Sequence, residues 1–247
     1  MALKTTLNYS PNFKLRKRGL KQIKFIIFHY TGMKKESQSI SKLLNTKSEV
    51  SCHYLIKNNG EIVTMVPDLY IAWHAGKSSW NNYKSLNKNS IGIEITNSGH
   101  QFDYKNFSKK QIISLLNLSK YLKRKYKINP KNFLGHSDIS PSRKKDPGEK
   151  FPWQYLSQNK ICLWHTLNTK ELKKSRALKI SKIDKEYFFN NLFKIGYSKI
   201  VPKNMNKEKY LRYITIAFQR KFRQELINGK IDKECLLISK NLFKKIN

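Results

Sequence analysis

Two periods govern the apolar positions of this chain, and each stretch takes its element from the one it follows. Residues 23–28, IKFIIF, form a short β-branched run that reads as a buried strand with His29 at its end. Residues 37–45 read as a short helix, and NNG between SCHYLIK and EIVTMV marks a hairpin over 51–66. A loop over 67–89 leads into SIGIEIT, where Ile91, Ile93 and Ile95 alternate with Gly92, Glu94 and Thr96. Period two turns Glu94 away from the isoleucines, toward a site or solvent. Over 108–127, Ser108 and Gln111 form a capping box, and Ile112, Leu115, Leu116 and Leu122 share one stripe of an amphipathic helix. FLGH then ends another short strand.

Strands interleaved with helices predict an α/β (α+β) layer domain over residues 1–158. Residues 159–182 are lysine-rich without clear period and read as a linker. A second unit, 183–247, shows helical runs near 184–195, 207–228 and 232–245, with Asp184 and Asp232 at N-cap positions, and predicts a small three-helix domain.

Composition narrows the partners. Fifty Lys+Arg against 16 Asp+Glu give a formal charge of +34, which suits an anionic polymer, nucleic acid or an anionic membrane face. Only eight of the fifty are Arg, the residue that reads guanines and phosphates bidentately, so specific nucleic-acid recognition is disfavoured. Cys52, Cys162 and Cys235 are widely spaced, with no thiolate zinc motif and no disulfide framework. No run is apolar enough to span a bilayer, and no export signal is visible. His29, His136 and Asp146 could supply the three protein ligands of a catalytic zinc, although a strand-end histidine is more often structural.

The ordered blocks FHYTG, SCHYLI, AWHAG, SIGIEI and GHSDISPSRKKDPG, with SPNF and Arg16 at the entry, resemble the zinc-dependent N-acetylmuramoyl-L-alanine amidases of the AmpD/AmiD type. That family is related in fold to T7-type phage lysozyme and to peptidoglycan recognition proteins. The resemblance covers residues 7–158. It implies a central mixed β-sheet flanked by helices, and one Zn2+ bound by His29, His136 and Asp146. It also implies Glu94 as handler of the water's proton, Lys144 rather than Lys145 as the oxyanion-stabilising lysine, and Trp73 and His74 in the substrate-facing loop, His74 either as a substrate contact or in a structural role. Cys52 stands where T7-type relatives carry a catalytic tyrosine, so Glu94 is expected to take that work and Cys52 to be a free thiol. His53 is expected to pack or hydrogen-bond within the sheet, and His100 and His165 lie outside every block.

LFKIGYSKI, IAFQRKFR and NGKID in the second unit resemble the three-helix peptidoglycan-binding domain of AmiD-like enzymes. Removing residues 176–247 is therefore expected to spare cleavage of soluble muropeptides and to weaken action on insoluble wall. A bundle that only stabilises the catalytic domain is the other reading. The implied activity is hydrolysis of the amide between the muramic lactyl group and L-alanine of peptidoglycan, by a monomer, with the periplasm or cell envelope favoured over the cytoplasm. A non-catalytic peptidoglycan receptor and a basic nucleic-acid-binding protein are the alternatives.

Overall fold

The computed structural model of the protein describes residues 3–246. Ten strands form: β1 (Thr6–Leu7), β2 (Phe13–Lys14), β3 (Phe25–Tyr30), β4 (Tyr54–Ile56), β5 (Ile62–Thr64), β6 (Ile71–Ala72), β7 (Ser79–Trp80), β8 (Tyr83–Lys84), β9 (Ser90–Ile95) and β10 (Phe133–Gly135). The helices are α1 (Glu36–Leu44), α2 (Lys109–Tyr126), α3 (His136–Ile139), α4 (Trp153–Gln158), α5 (Thr169–Ser175), α6 (Lys182–Ile195), α7 (Lys207–Phe222) and α8 (Lys233–Ile246). Six strands make a mixed sheet in the order β1-β5-β4-β9-β3-β10, in which only the β4–β5 hairpin is antiparallel.

Alternation along β3 explains the layers. Ile26 and Phe28 point to one face, where with Ile91, Ile93, Ile95 and Phe133 they pack under Leu115, Leu118 and Leu122 of α2. The capping box closes α2 as its sequence predicts: Gln111 N–H donates to Ser108 Oγ (3.2 Å), and Ser108 N–H donates to Gln111 Oε1 (3.0 Å).

The second face is covered in two places. On one side, Leu55, Val63 and Met65 pack with Leu43 of α1. On the other, Phe25, Ile27, Leu134 and Ile139 share one buried cluster with Phe188, Leu192, Ile214 and Phe218 of α6 and α7. The C-terminal helices thus cover part of the six-stranded sheet, and the cavity bordered by His29, Glu94 and His136 opens on this same face.

Local differences from the sequence reading have simple causes. The expected linker contains α5, capped by Asn168, whose Oδ1 accepts from Lys170 N–H (2.8 Å), and anchored by buried Leu172. One apolar anchor among lysines leaves no readable period. Helix α6 is capped by Ser181, whose Oγ accepts from Asp184 N–H (3.0 Å), so Asp184 lies inside the first turn. Helix α7 stops at Phe222 rather than near 228, because the backbone N–H groups of Asn228 and Gly229 return to Gln219 Oε1 (3.0 and 2.8 Å). Asp232 does cap α8, accepting from Cys235 N–H (3.0 Å). All three cysteines are free and buried, and among the described residues no helix is long and apolar enough to cross a membrane.

Candidate active site

Parallel pairing of β3 with β9 sets His29 opposite Glu94, so both side chains leave the sheet on the same face. His136 follows β10 as the first residue of α3. The loop after α3 returns Asp146 to the site, and Ser137 N–H donates to the Asp146 carbonyl (2.8 Å) to hold it closed. Gly135 permits this closure: a Cβ there would stand 2.7 Å from Pro147 Cδ.

The tautomers follow from donors and acceptors alone. The Ala75 carbonyl can only accept, so His136 Nε2, 3.1 Å away, carries the proton and His136 Nδ1 is bare. Ser90 donates its hydroxyl to the Leu86 carbonyl (2.7 Å), so its oxygen accepts from His74 Nε2 (3.2 Å). His74 Nδ1 is then bare and accepts from His29 Nε2–H (3.1 Å), which leaves His29 Nδ1 bare as well. The two bare nitrogens stand 3.0 Å apart, and Asp146 Oδ2 lies 2.9 Å from one and 3.0 Å from the other. Three lone pairs converge with no proton between them, an arrangement that a bound metal ion would satisfy. Metal–donor bonds of about 2.0–2.2 Å put the donors of a tetrahedral ion roughly 3.3–3.6 Å apart, so the triangle fits a metal ion if it opens by a few tenths of an ångström. Burial, reinforced by His136, lowers the His29 pKa to about 4, which keeps its ring neutral as a ligand requires.

Around this triangle lies a cavity of about 470 Å³ bordered by Trp73, Glu94, Lys144 and His100 among others. Glu94 Oε2 is buried and has no hydrogen-bond partner among the described residues. Burial first, and then the charge of Asp146, raise its carboxyl to about 8. Lys144 is half-buried while Lys145 is exposed, and the Lys144 charge acts on both Glu94 and His29. Arg143 Nη2 donates to the Ala75 and Lys77 carbonyls (both 3.0 Å), tying the 75–77 loop to the 136–146 loop.

His29, His136, Asp146, Glu94, Lys144 and Trp73 are therefore brought to one cavity. His74 borders it too, but both its ring nitrogens are engaged inside the protein and its ring lies against Gly92, so the geometry makes it a support for His29. His53 accepts from Gly92 N–H (3.0 Å) within the sheet, and Cys52 Sγ lies against Met65 Sδ (3.8 Å). One group escaped the sequence reading. His100 joins the cavity wall, linked to Tyr30 Oη (2.9 Å) and to Glu149 (3.0 Å) and stacked on Tyr104. Its neighbours SGHQF carry no pattern; only Tyr30 beside His29 and Glu149 after DPG were near recognisable blocks.

Residues 19–149 match the family model described as N-acetylmuramoyl-L-alanine amidase. Over 236 residues the chain is 35% identical to the N-acetylmuramoyl-L-alanine amidase AmiD of Escherichia coli K12, covering 91% of this chain and 83% of that protein. It is 42% identical over 113 residues to the 1,6-anhydro-N-acetylmuramyl-L-alanine amidase AmpD of Haemophilus influenzae, covering 45% of this chain and 59% of that one. Among solved structures, E. coli AmiD in complex with anhydro-N-acetylmuramic acid-L-Ala-D-gamma-Glu-L-Lys superposes with a TM-score of 0.78 at 33% identity, covering 94% of this chain and 93% of that one. AmpDh3 of Pseudomonas aeruginosa, in complex with anhydromuramic pentapeptide, also gives 0.78, at 29% identity over 96% of this chain and 97% of that one.

Proposed function

Because this chain belongs to the N-acetylmuramoyl-L-alanine amidase family, we propose that it hydrolyses the amide joining the lactyl group of N-acetylmuramic acid, or of its anhydro form, to L-alanine of the stem peptide. The observation that carries this reading is the convergence of two bare imidazole nitrogens and one carboxylate oxygen within about 3 Å, beside an unpartnered glutamate. Two neutral histidines and an aspartate are a donor set of catalytic zinc, which keeps a fourth position open, so we assign the metal as Zn2+ held by His29, His136 and Asp146. Bound there, zinc supplies Lewis-acid polarisation of the substrate carbonyl and a water acidic enough to attack at neutral pH.

The chain's own residues do the rest. Glu94 takes the proton of the attacking water and passes it to the leaving amine; a carboxyl raised toward neutrality can both accept and release it. Lys144 holds its ammonium where the carbonyl oxygen gains negative charge. Ala75 and the His74–Ser90–Leu86 chain fix which ring nitrogens face the cation. Trp73 offers an apolar wall to the muropeptide. A silent receptor would not need this donor set, and eight arginines among fifty basic residues do not favour nucleic acid. The lysine excess suits carboxylate-bearing wall, and on that argument we favour the cell envelope as the place of action.

The test is mass spectrometry of products from polymeric peptidoglycan and from soluble anhydro-muropeptides, before and after chelation and zinc add-back. Free stem peptide is expected from both substrates, lost on chelation and restored by about one zinc per chain. Cleavage that survives complete metal removal refutes the mechanism.

A further inference from the structure

We propose that the C-terminal helices are a clamp on the metal-bearing loop, with Lys221, Tyr197 and Gln224 as positioning residues for His136 and Asp146. The clamp rests on the metal assignment above, and it starts from a buried carboxylate. Asp138, two residues after His136, is 1% exposed and sits in the turn that starts α3. Its Oδ2 accepts from Gly135 N–H (2.8 Å), which fixes the turn where β10 hands over to His136.

The charge of Asp138 is met from the other unit. Lys221 of α7, itself 4% exposed, reaches its Oδ2 at 3.0 Å and donates also to the Phe133 carbonyl (3.0 Å). The ammonium lies 4.3 Å from the centre of the Trp153 ring, so its third side is occupied by an aromatic face. Tyr197, in the segment after α6, donates its hydroxyl to Asp138 Oδ1 (2.8 Å). Farther along the same loop, Gln224 Nε2 donates to the carbonyls of Glu149 and Phe151, the latter at 2.7 Å. The C-terminal unit therefore grips residues 133–138 and 149–151, the two ends of the segment that carries His136, Lys144 and Asp146.

A merely tethered domain has no reason to bury a charge pair in its partner. A buried lysine facing a buried aspartate is costly to desolvate, and removing one partner leaves the other charge buried and unpaired, so the pair ties α7 firmly to this turn. Here the geometry is that of two metal ligands, ten residues apart, which must meet within 3.0 Å.

The experiment uses the full-length protein with the substitutions Lys221→Met, Tyr197→Phe and Gln224→Ala. Leu242→Ala is the control: it lies buried in the bundle, takes no part in these bonds, and lowers stability by leaving a cavity. Two readouts are taken, the zinc dissociation constant by chelator competition and hydrogen exchange of residues 133–151 in metal-free protein. The clamp predicts about a tenfold or greater weakening of zinc binding for Lys221→Met, smaller losses for the two gentler changes, and faster exchange across 133–151 in all three. Leu242→Ala should lower Tm with zinc affinity within about twofold of wild type. The proposal is overturned if exchange in 133–151 is unchanged in the three variants, or if Leu242→Ala at matched Tm weakens zinc as much as Lys221→Met. A wild-type protein that binds no zinc would refute the metal assignment instead, and the exchange data would still report on the clamp.

Discussion

Gly92→Ala tests how much the site depends on one missing side chain. A Cβ at position 92 would stand 2.4 Å from His74 Cγ and 2.6 Å from Cδ2 and Nδ1, against an ordinary contact of 3.4 Å or more. His74 must therefore retreat by about 1 Å, the difference of those distances. A displacement of that size is large enough to break its 3.1 Å bond to His29 Nε2. Two costs follow. Overpacking a filled site lowers stability by about 1–3 kcal/mol. Losing the partner that orients a ligating imidazole weakens metal binding about 10–100-fold, or ~1.4–2.7 kcal/mol. Chelator competition measures the second and thermal melting of metal-free protein the first. The double variant Gly92→Ala/His74→Ala separates them, since removing the ring relieves the clash but cannot restore the bond. Stability should recover only in part, because the missing ring leaves a cavity and an unpaired His29 Nε2–H, while affinity stays low. If Gly92→Ala binds zinc within twofold of wild type, or if both properties recover together, the support assigned to His74 is wrong.

Other outcomes follow from the same geometry. Glu94→Ala should lower kcat by about 10²–10⁴ and Lys144→Ala by about 10²–10³, with zinc retained in both; the exposed Lys145→Ala should cost little, and a reversed order would refute the lysine assignment. In metal-free protein the Glu94 carboxyl is raised from 4.5 to about 8, so the fold favours its neutral form; the associated stability is full below 4.5 and is lost as pH rises through 8. Metal-free Glu94→Gln should therefore melt above metal-free wild type near pH 8–9 by about 1 kcal/mol or more and match it near pH 5, and parallel Tm–pH curves would contradict this. Contrary to the expectation from the sequence, deleting residues 176–247 should abolish cleavage of soluble muropeptides as well as wall, because Phe25, Ile27 and Leu134 would lose their cover; full activity on the soluble substrate would show the units to be separable.

Period two turned Glu94 away from Ile91, Ile93 and Ile95, which belong to the core, but left site and solvent both open; the resemblance chose between them. Strand ends and a loop long enough to turn back made His29, His136 and Asp146 a possible ligand set, but position alone favoured structural histidines and the resemblance selected them. The capping box of α2 was legible because its signal spans four residues. What was not legible is non-local. Phe25 and Ile27 looked like half of an ordinary buried strand, and nothing near them says that their cover comes from Phe188 and Phe218. Nothing in IAFQRKFR or in GHSDIS marks Lys221 and Asp138 as a buried pair. His74 stood in a recognisable block, but its role depends on Ser90 and Gly92, which meet it only in the folded sheet.

The in-register pairing of His29 with Glu94 has a consequence for quality control of the molecule. Slippage of β3 against β9 by one residue would swing one of the two to the opposite side of the sheet and, in the same motion, push Ile26 and Phe28 or their neighbours out of the buried layer. Packing and chemistry thus fail together. Among wild-type chains loaded with metal, register slippage should therefore yield poorly folded chains and not well-packed inert ones, so at full zinc occupancy specific activity reports the fraction of correctly assembled sheets.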